Sequence, residues 1–223
     1  MRSVVHSFHH NWRIYMTISI IGAGNVGQAL AKAFTLKGES IFFGVPDADK
    51  YRSAVSGISI KIKIGSVQEA VAASDLIILA IPYAATKAVA TSIKDWGGKV
   101  LVDATNPIAA GLSGLSVGTV TSGAEEIAKV AHGARVVKAF NVTGAENMAD
   151  SHYSAGTVFM PICGDDSSAR DRVKSLATLI GFDAVDMGNL KSARYLEPFA
   201  MTWIHLAIRQ GYGRRFAFGL MKR

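Results

Sequence analysis

Residues 22–27 read Gly-Ala-Gly-Asn-Val-Gly, three glycines at the spacing G-x-G-x-x-G. A turn of this kind can hold a diphosphate. The first glycine, Gly22, permits a tight bend. The second, Gly24, leaves the backbone bare so that an anion can approach it, and the third, Gly27, lets the following helix pack close to the preceding strand. Amides without partners at the helix start, together with the helix dipole, supply the attraction. The pattern alone is weak, and its context strengthens it. An apolar β-branched run at 17–21 precedes it, and Val26, Leu30 and Phe34 recur behind it at helical spacing. Strand, glycine turn and helix in that order form a dinucleotide-binding unit.

Three further groups follow apolar runs. They are Ile81-Pro82, Asn106-Pro107 and Phe140-Asn141. In open α/β sheets, ligands lie beyond the carboxyl ends of the strands, where the strand order reverses. Pro82 has a fixed φ and no amide hydrogen, so it can shape a wall beside a dinucleotide. Asn106 is placed to bond a ribose, and Phe140 and Asn141 to face a reacting ring. The choice of dinucleotide is read after the second strand, where an acidic residue favours NAD and a basic one the 2′-phosphate of NADP. That stretch holds Asp47 behind Pro46, then Lys50 and Arg52, so its evidence points both ways.

No Ser/His/Asp grouping and no Lys–His dyad stands out in the sequence. Hydride transfer to a ring heterocycle needs none, because the cofactor carries the chemistry and the protein aligns the rings. His205 reads as a core or interface histidine on an apolar C-terminal helix. Cys163 reads as a buried, inert thiol, and Asp165-Asp166 as capping residues rather than metal ligands.

These groups need a scaffold. Strand-like runs occur at 17–21, 40–44, 58–64, 76–81, 99–103, 135–140, 158–163 and 182–186. Helix-like stretches lie at 26–37, 67–73, 84–93, 124–131 and 167–179. The alternation predicts an α/β, Rossmann-type doubly wound parallel sheet. The continuous apolar run at 76–81 suits a parallel strand covered on both faces. Residues 111–118 read as a mobile glycine-rich loop. Past Lys191 the strands stop, and Pro198 is expected at the head of an apolar helix over 199–208. The domain reading is therefore an arm over 1–15, a dinucleotide-binding domain over 16–190, and a small helical part over 191–223.

Of the 223 residues, 49% are hydrophobic and 18% charged, enough apolar surface for a full core. One cysteine excludes an intrachain disulfide framework and a Cys-rich metal site. His6, His9 and His10 in the arm have no acidic or thiol partner nearby, so no metal is expected there. The net charge of +7 is local, since residues 191–223 hold seven basic side chains and one acidic. Without an aromatic-interleaved groove, this basicity reads as a solvated or subunit-facing terminus, and no nucleic-acid partner is expected. No run approaches the ~18 consecutive apolar residues of a membrane helix. The arm also lacks a secretory apolar core, so cytoplasmic residence is the expectation. Residues 199–208 carry Phe, Met, Trp, Ile and Leu on more than one face, which predicts a homodimer.

Taken together, residues 22–27, Ile81-Pro-Tyr83, Val102-Asp-Ala-Thr-Asn-Pro107, Val137-Lys-Ala-Phe-Asn141, Pro161-Ile-Cys-Gly-Asp-Asp166 and Arg194-Tyr-Leu-Glu-Pro198 resemble the F420-dependent NADP reductases and their bacterial relatives. The cytoplasmic domain of the six-transmembrane metalloreductases is a more distant likeness. The resemblance runs from about Met16 to the C-terminus. It implies reversible hydride transfer between NADP(H) and a deazaflavin or flavin. It implies that Gly22, Ala23, Gly24, Asn25, Val26 and Gly27 hold the pyrophosphate. Ile81, Pro82 and Asn106 would flank the nicotinamide half, and Phe140, Asn141 and the helix near Met201 would border the flavin-like ring. Where the family commonly has an arginine after the second strand, this chain has Val45 and Pro46, which leaves Lys50 as the basic residue for a 2′-phosphate.

The expected activity is thus NADP(H)-linked reduction of a small flavin-like molecule. A dinucleotide-binding sensor without turnover is the alternative. An imine or hydroxyacid reductase would want a lysine on the C-terminal helix, and residues 199–208 contain none.

Overall fold

β-Branched and apolar runs become strands, and the amphipathic stretches between them become the helices that cover the sheet. The computed structural model describes residues 16–223, and the arm expected over 1–15 lies outside them. The first half runs β1 (Thr17–Ile21), α1 (Asn25–Leu36), β2 (Ser40–Gly44), α2 (Ala48–Ser56), β3 (Ile62–Gly65), α3 (Val67–Ala73), β4 (Leu76–Leu79), α4 (Tyr83–Ser92) and β5 (Val100–Asp103). The second half runs α5 (Gly123–Val130), β6 (Arg135–Lys138), α6 (Ala145–Ala149), a small hairpin of β7 (His152–Tyr153) and β8 (Gly156–Thr157), then β9 (Phe159–Gly164), α7 (Ser167–Leu179), β10 (Asp183–Asp186) and α8 (Ala193–Ile204).

The large sheet has the order β10-β9-β6-β5-β4-β1-β2-β3. From β3 to β6 it is parallel, and the order reverses between β1 and β4. The expected doubly wound sheet is therefore present, with one difference. Strand β9 runs antiparallel to β6. A parallel pair needs a long crossover. Between β6 and β9 the chain offers only the five-residue α6 and the hairpin. Strand β4 is wholly buried along its length, as its unbroken apolar run demands. Leu30 and Phe34 of α1 fill the core on one face of the sheet, while Trp96, Leu101, Ile127 and Leu196 fill the other.

Several boundaries differ from the sequence reading. The run expected at 58–64 yields a strand only from Ile62, and α2, α6 and the hairpin were not foreseen. The segment 111–118 is shaped by a 3-10 turn at Ala110–Leu112 and a bridge between Ile108 and Leu115. Helix α8 begins at Ala193, so Pro198 lies inside it rather than at its head. The hydrogen bond this proline cannot make would have gone to the first turn of the helix. Past Ile204 the helix widens into a π turn over His205–Arg209.

His205 is exposed, not buried. The covered face of α8 carries Leu196, Ala200 and Trp203 and continues to Ala207 in the π turn, which turns position 205 outward. Part of the apolar surface read as needing another subunit is covered by the chain's own C-terminus, while Tyr195 and Ile208 stay exposed. The Phe216 ring stacks on Trp203 with centroids 5.4 Å apart, and Phe218 lies 4.9 Å from Phe199. Among the described residues, no helix is long and apolar enough to cross a membrane.

Candidate active site

The strand register gathers the motifs. Gly44, Ile21, Leu79, Asp103 and Lys138 are successive partners across β2, β1, β4, β5 and β6. The loops that follow these residues therefore leave the sheet along one edge. The glycine turn and the Ala80–Pro82 segment flank the reversal point, where such sheets bind ligands.

Each glycine of the turn has a distinct constraint. Gly22 has φ +104°, and a Cβ there would lie 2.5 Å from the Ala80 carbonyl oxygen. A Cβ on Gly27 would lie 2.1 Å from the Gly22 oxygen. At Gly24 a Cβ would meet nothing within 4 Å, so this position is bare towards open space. Gly24 is also the N-cap of α1, which has no side-chain cap and no acidic residue in its first turn. By contrast α2, α3, α5 and α7 are capped by Asp47, Ser66, Ser122 and Asp166. A side chain at 24 would fill the space in front of the α1 amides, and its absence leaves room for a diphosphate. The turn fits a dinucleotide.

Beside this turn opens a cleft of about 340 Å³. Asn25 and Val26 of α1 line one side, and Ile81, Pro82 and Tyr83 another. Asn106 and Ala145 line the remainder, with Arg214 from the C-terminal segment. Hollows of about 530 and 600 Å³ lie elsewhere, by the β7–β8 hairpin and between α4 and α5, and neither includes the glycine turn. The cleft thus unites Asn25, Val26, Ile81, Pro82 and Asn106 of the expected residues, with Gly22, Ala23, Gly24 and Gly27 forming the turn.

The others stand apart. Phe140 does not border the cleft. Its ring is buried, edge-on to Phe34 and Phe182 in the core, and its backbone takes φ +58°. Asn141 stands behind Asn106. Its Nδ2 donates to Asn106 Oδ1 at 3.0 Å, while Asn106 Nδ2 donates to the Asn141 carbonyl at 2.8 Å. Met201 is half-buried on α8 and is not a cleft residue. Lys50 lies in the first turn of α2, its ammonium 5.6 Å from the Tyr51 ring centroid. Asp47 caps the same helix, its Oδ1 accepting the amides of Asp49 and Lys50.

Three charged residues beneath the cleft were missed. Lys138 Nζ lies 2.8 Å from Asp103 Oδ2 and 3.0 Å from Glu197 Oε1, and all three side chains are buried. Burial opposes the ammonium, yet Asp103 and Glu197 hold its pKa above the ordinary value. Burial, with Glu197 and other carboxylates nearby, likewise raises the Tyr83 hydroxyl. The sequence signal was partial, since Asp103 ends the apolar run at 100–102, while Lys138 stands inside the run 136–140 as a lone charge between Val137 and Ala139.

Comparison with known proteins agrees with this geometry. The family described as "NADP oxidoreductase coenzyme F420-dependent" matches residues 17–107, the stretch from β1 to the Asn106-Pro107 wall. The F420-dependent NADP reductase of Methanothermobacter marburgensis is 33% identical over 210 residues, covering 87% of this chain and 93% of that protein. The chain belongs to the F420-dependent NADP reductase family. A solved structure of a putative F420-dependent NADP reductase from Arthrobacter sp. FB24 superposes with a TM-score of 0.84 at 25% identity, covering 93% of this chain and all of that one. The metalloreductase STEAP3 of Rattus norvegicus is 27% identical over 82% of this chain, which spans only 36% of that protein. Membership of this family makes the chain an NADP-linked oxidoreductase, and the family resemblance expected from the sequence holds along nearly its whole length.

Proposed function

We propose that this protein transfers hydride reversibly between NADP(H) and a flavin-like ring, either the deazaflavin coenzyme F420 or FMN/FAD. The observation that carries this reading is the bare Gly24 over the uncapped start of α1, at the reversal point and beside the cleft. When bound, the dihydronicotinamide supplies a hydride, two electrons with one proton, and the accepting ring completes its reduction with a proton from solvent. The chain's own part is to bind and align. The turn at 22–27 holds the diphosphate. Ile81 and Pro82 give an apolar wall that excludes water from one ring face. Asn106, fixed by its reciprocal pair with Asn141, orients the nicotinamide ribose. A ring acceptor suits a cleft built for alignment rather than for acid–base work.

NADP(H) is the proposed cofactor over NAD(H), with Lys50 as the cation for the 2′-phosphate. The proposed assembly is a homodimer, formed through Tyr195 and Ile208, which the C-terminal segment leaves exposed. Mixing the protein with NADPH and F420 or FMN should consume NADPH absorbance. Calorimetric titration should show tighter binding of NADPH than NADH, a difference lost in Lys50→Ala. Absent NADPH binding would overturn the reading, and tight binding without turnover on any ring acceptor would favour a sensor.

A further inference from the structure

The segment after the π turn at 205–209 has no regular structure, yet it is tied down. The Phe216 carbonyl accepts from Trp203 Nε1 at 2.9 Å and from Asn147 Nδ2 at 2.7 Å. The Phe218 carbonyl accepts from the Phe159 amide at 2.9 Å. Ring contacts to Trp203 and Phe199 hold the same two positions. The strap is therefore fixed just beyond Arg214, and that fixes where Arg214 points.

Arg214 lines the cleft together with Asn25, Ile81 and Asn106. Its Nε donates to Glu146 Oε1 at 2.7 Å, and its guanidinium lies 5.9 Å from the Trp203 ring centroid. A carboxylate on Nε and an aromatic face beside the plane orient a guanidinium without occupying its fork. Among the described residues, no acceptor engages Nη1 or Nη2. Two parallel donors on a positioned cation match a phosphate oxyanion bidentately. Three helix starts border this cleft, α1, α4 and α6, and none has a side-chain cap. Those of α1 and α4 carry no acidic residue and add positive potential, while the first turn of α6 carries Glu146, the partner of Arg214.

We propose that Arg214 is a phosphate-recognition residue of this cleft, and that the C-terminal strap exists to present it. The inference rests on the redox reading above. Two sources carry the same chemistry, the diphosphate of the dinucleotide and a phosphate ester on the side chain of the ring acceptor.

The test compares full-length wild type with Arg214→Gln and Arg214→Lys. One measurement is the NADPH dissociation constant, from quenching of tryptophan fluorescence. The other is kcat/KM at saturating NADPH for FMN against riboflavin, and for 5-deaza-FMN against 5-deazariboflavin. The members of each pair differ only in the phosphate. If the acceptor's phosphate is the ligand, Arg214→Gln loses about tenfold or more with the phosphorylated rings and nothing with the others. If the diphosphate is the ligand, NADPH binding weakens about tenfold and all four acceptors keep their ratios. Arg214→Lys, which keeps the charge but loses the fork, should recover only part of either loss. A wild type that turns over while Arg214→Gln matches it in every measurement overturns the role of Arg214. A wild type that neither binds nor oxidises NADPH overturns the redox reading instead. A circular-dichroism melt of Arg214→Gln matching wild type excludes misfolding as the source of any loss.

Discussion

Lys138 and Asp103 form a fully buried ion pair, with Nζ 2.8 Å from Oδ2, at the carboxyl ends of adjacent parallel strands. The pair does not stand alone. Lys138 Nζ also donates to the Thr105 carbonyl at 2.6 Å, and Asp103 Oδ1 accepts the Thr105 amide and hydroxyl at 2.9 and 2.7 Å. Glu197 Oε1 completes the ammonium's shell, and the Glu197 carboxylate accepts the amides of Gly123 and Ala124 at 2.9 and 3.1 Å. One cation thus faces two carboxylates, and backbone amides balance the excess negative charge. The network anchors the Ala104–Asn106 segment that walls the cleft, and it ties α8 and the start of α5 to the sheet.

Removing the cation should leave two buried carboxylates facing each other. Lys138→Met is expected to cost about 3–5 kcal/mol of unfolding free energy in urea titration. The double variant Lys138→Met/Asp103→Asn should recover part of that loss, because one of the uncompensated charges is gone. A single-variant loss below about 1 kcal/mol, the worth of an exposed pair, would show that the network is solvated in solution.

This network also marks the limit of what the sequence reveals. The glycine turn was legible because its physics is local, a strand, a bend and a helix start within about a dozen residues. The sheet was legible because each strand's apolar run reports its own burial. Asp103, Lys138 and Glu197 lie in motifs that identify the family, but their meeting depends on the β5–β6 register and on the long-range placement of α8, which brings Glu197 to Lys138. Phe140 shows the opposite error. A residue after a strand end was expected to face the cleft, but its positive φ turns the ring back to Phe34 and Phe182. Helix α2 was obscured by the turn-forming Pro46-Asp47, where Asp47 is in fact a cap.

The three glycines of the turn should separate stability from binding. Gly24→Ala places its Cβ in open space at an ordinary φ of −79°, so its unfolding free energy should stay within about 0.5 kcal/mol of wild type. Its NADPH affinity should nevertheless fall, and Gly24→Val should lower it further. Gly22→Ala must hold φ +104° against the Ala80 carbonyl, and it should lose about 1–3 kcal/mol from backbone strain alone. Thermal melts paired with NADPH titrations read both effects. Unchanged affinity in Gly24→Val would place the diphosphate elsewhere.

Burial pushes the Cys163 thiol up to about 12. A folded-state value above the unfolded one, about 8.5, means that the native fold favours the protonated thiol. The resulting stability is complete below about pH 8.5 and declines as pH rises towards the folded value. Wild type should therefore lose unfolding free energy above pH 9 more steeply than Cys163→Ala, whatever the offset caused by the smaller side chain. The native thiol should also resist a disulfide reagent that reacts readily in denaturant. Parallel pH slopes, or rapid native labelling, would contradict a buried neutral thiol.

The strap should contribute to stability and to the cleft at once. Phe216→Ala removes the ring stacked on Trp203 at 5.4 Å, and it is expected to cost about 1–2 kcal/mol from the lost ring contact and burial. Trp203 is only 3% exposed, so its emission should shift to the red as water reaches the indole. The carbonyl at 216 survives the substitution, but the strap that carries Arg214 loses its ring anchor. Binding should therefore weaken in the same direction as in Arg214→Gln, by a smaller factor, with no added loss when the two changes are combined beyond that of Arg214→Gln alone. Additive losses would mean that Phe216 and Arg214 act through separate parts of the molecule.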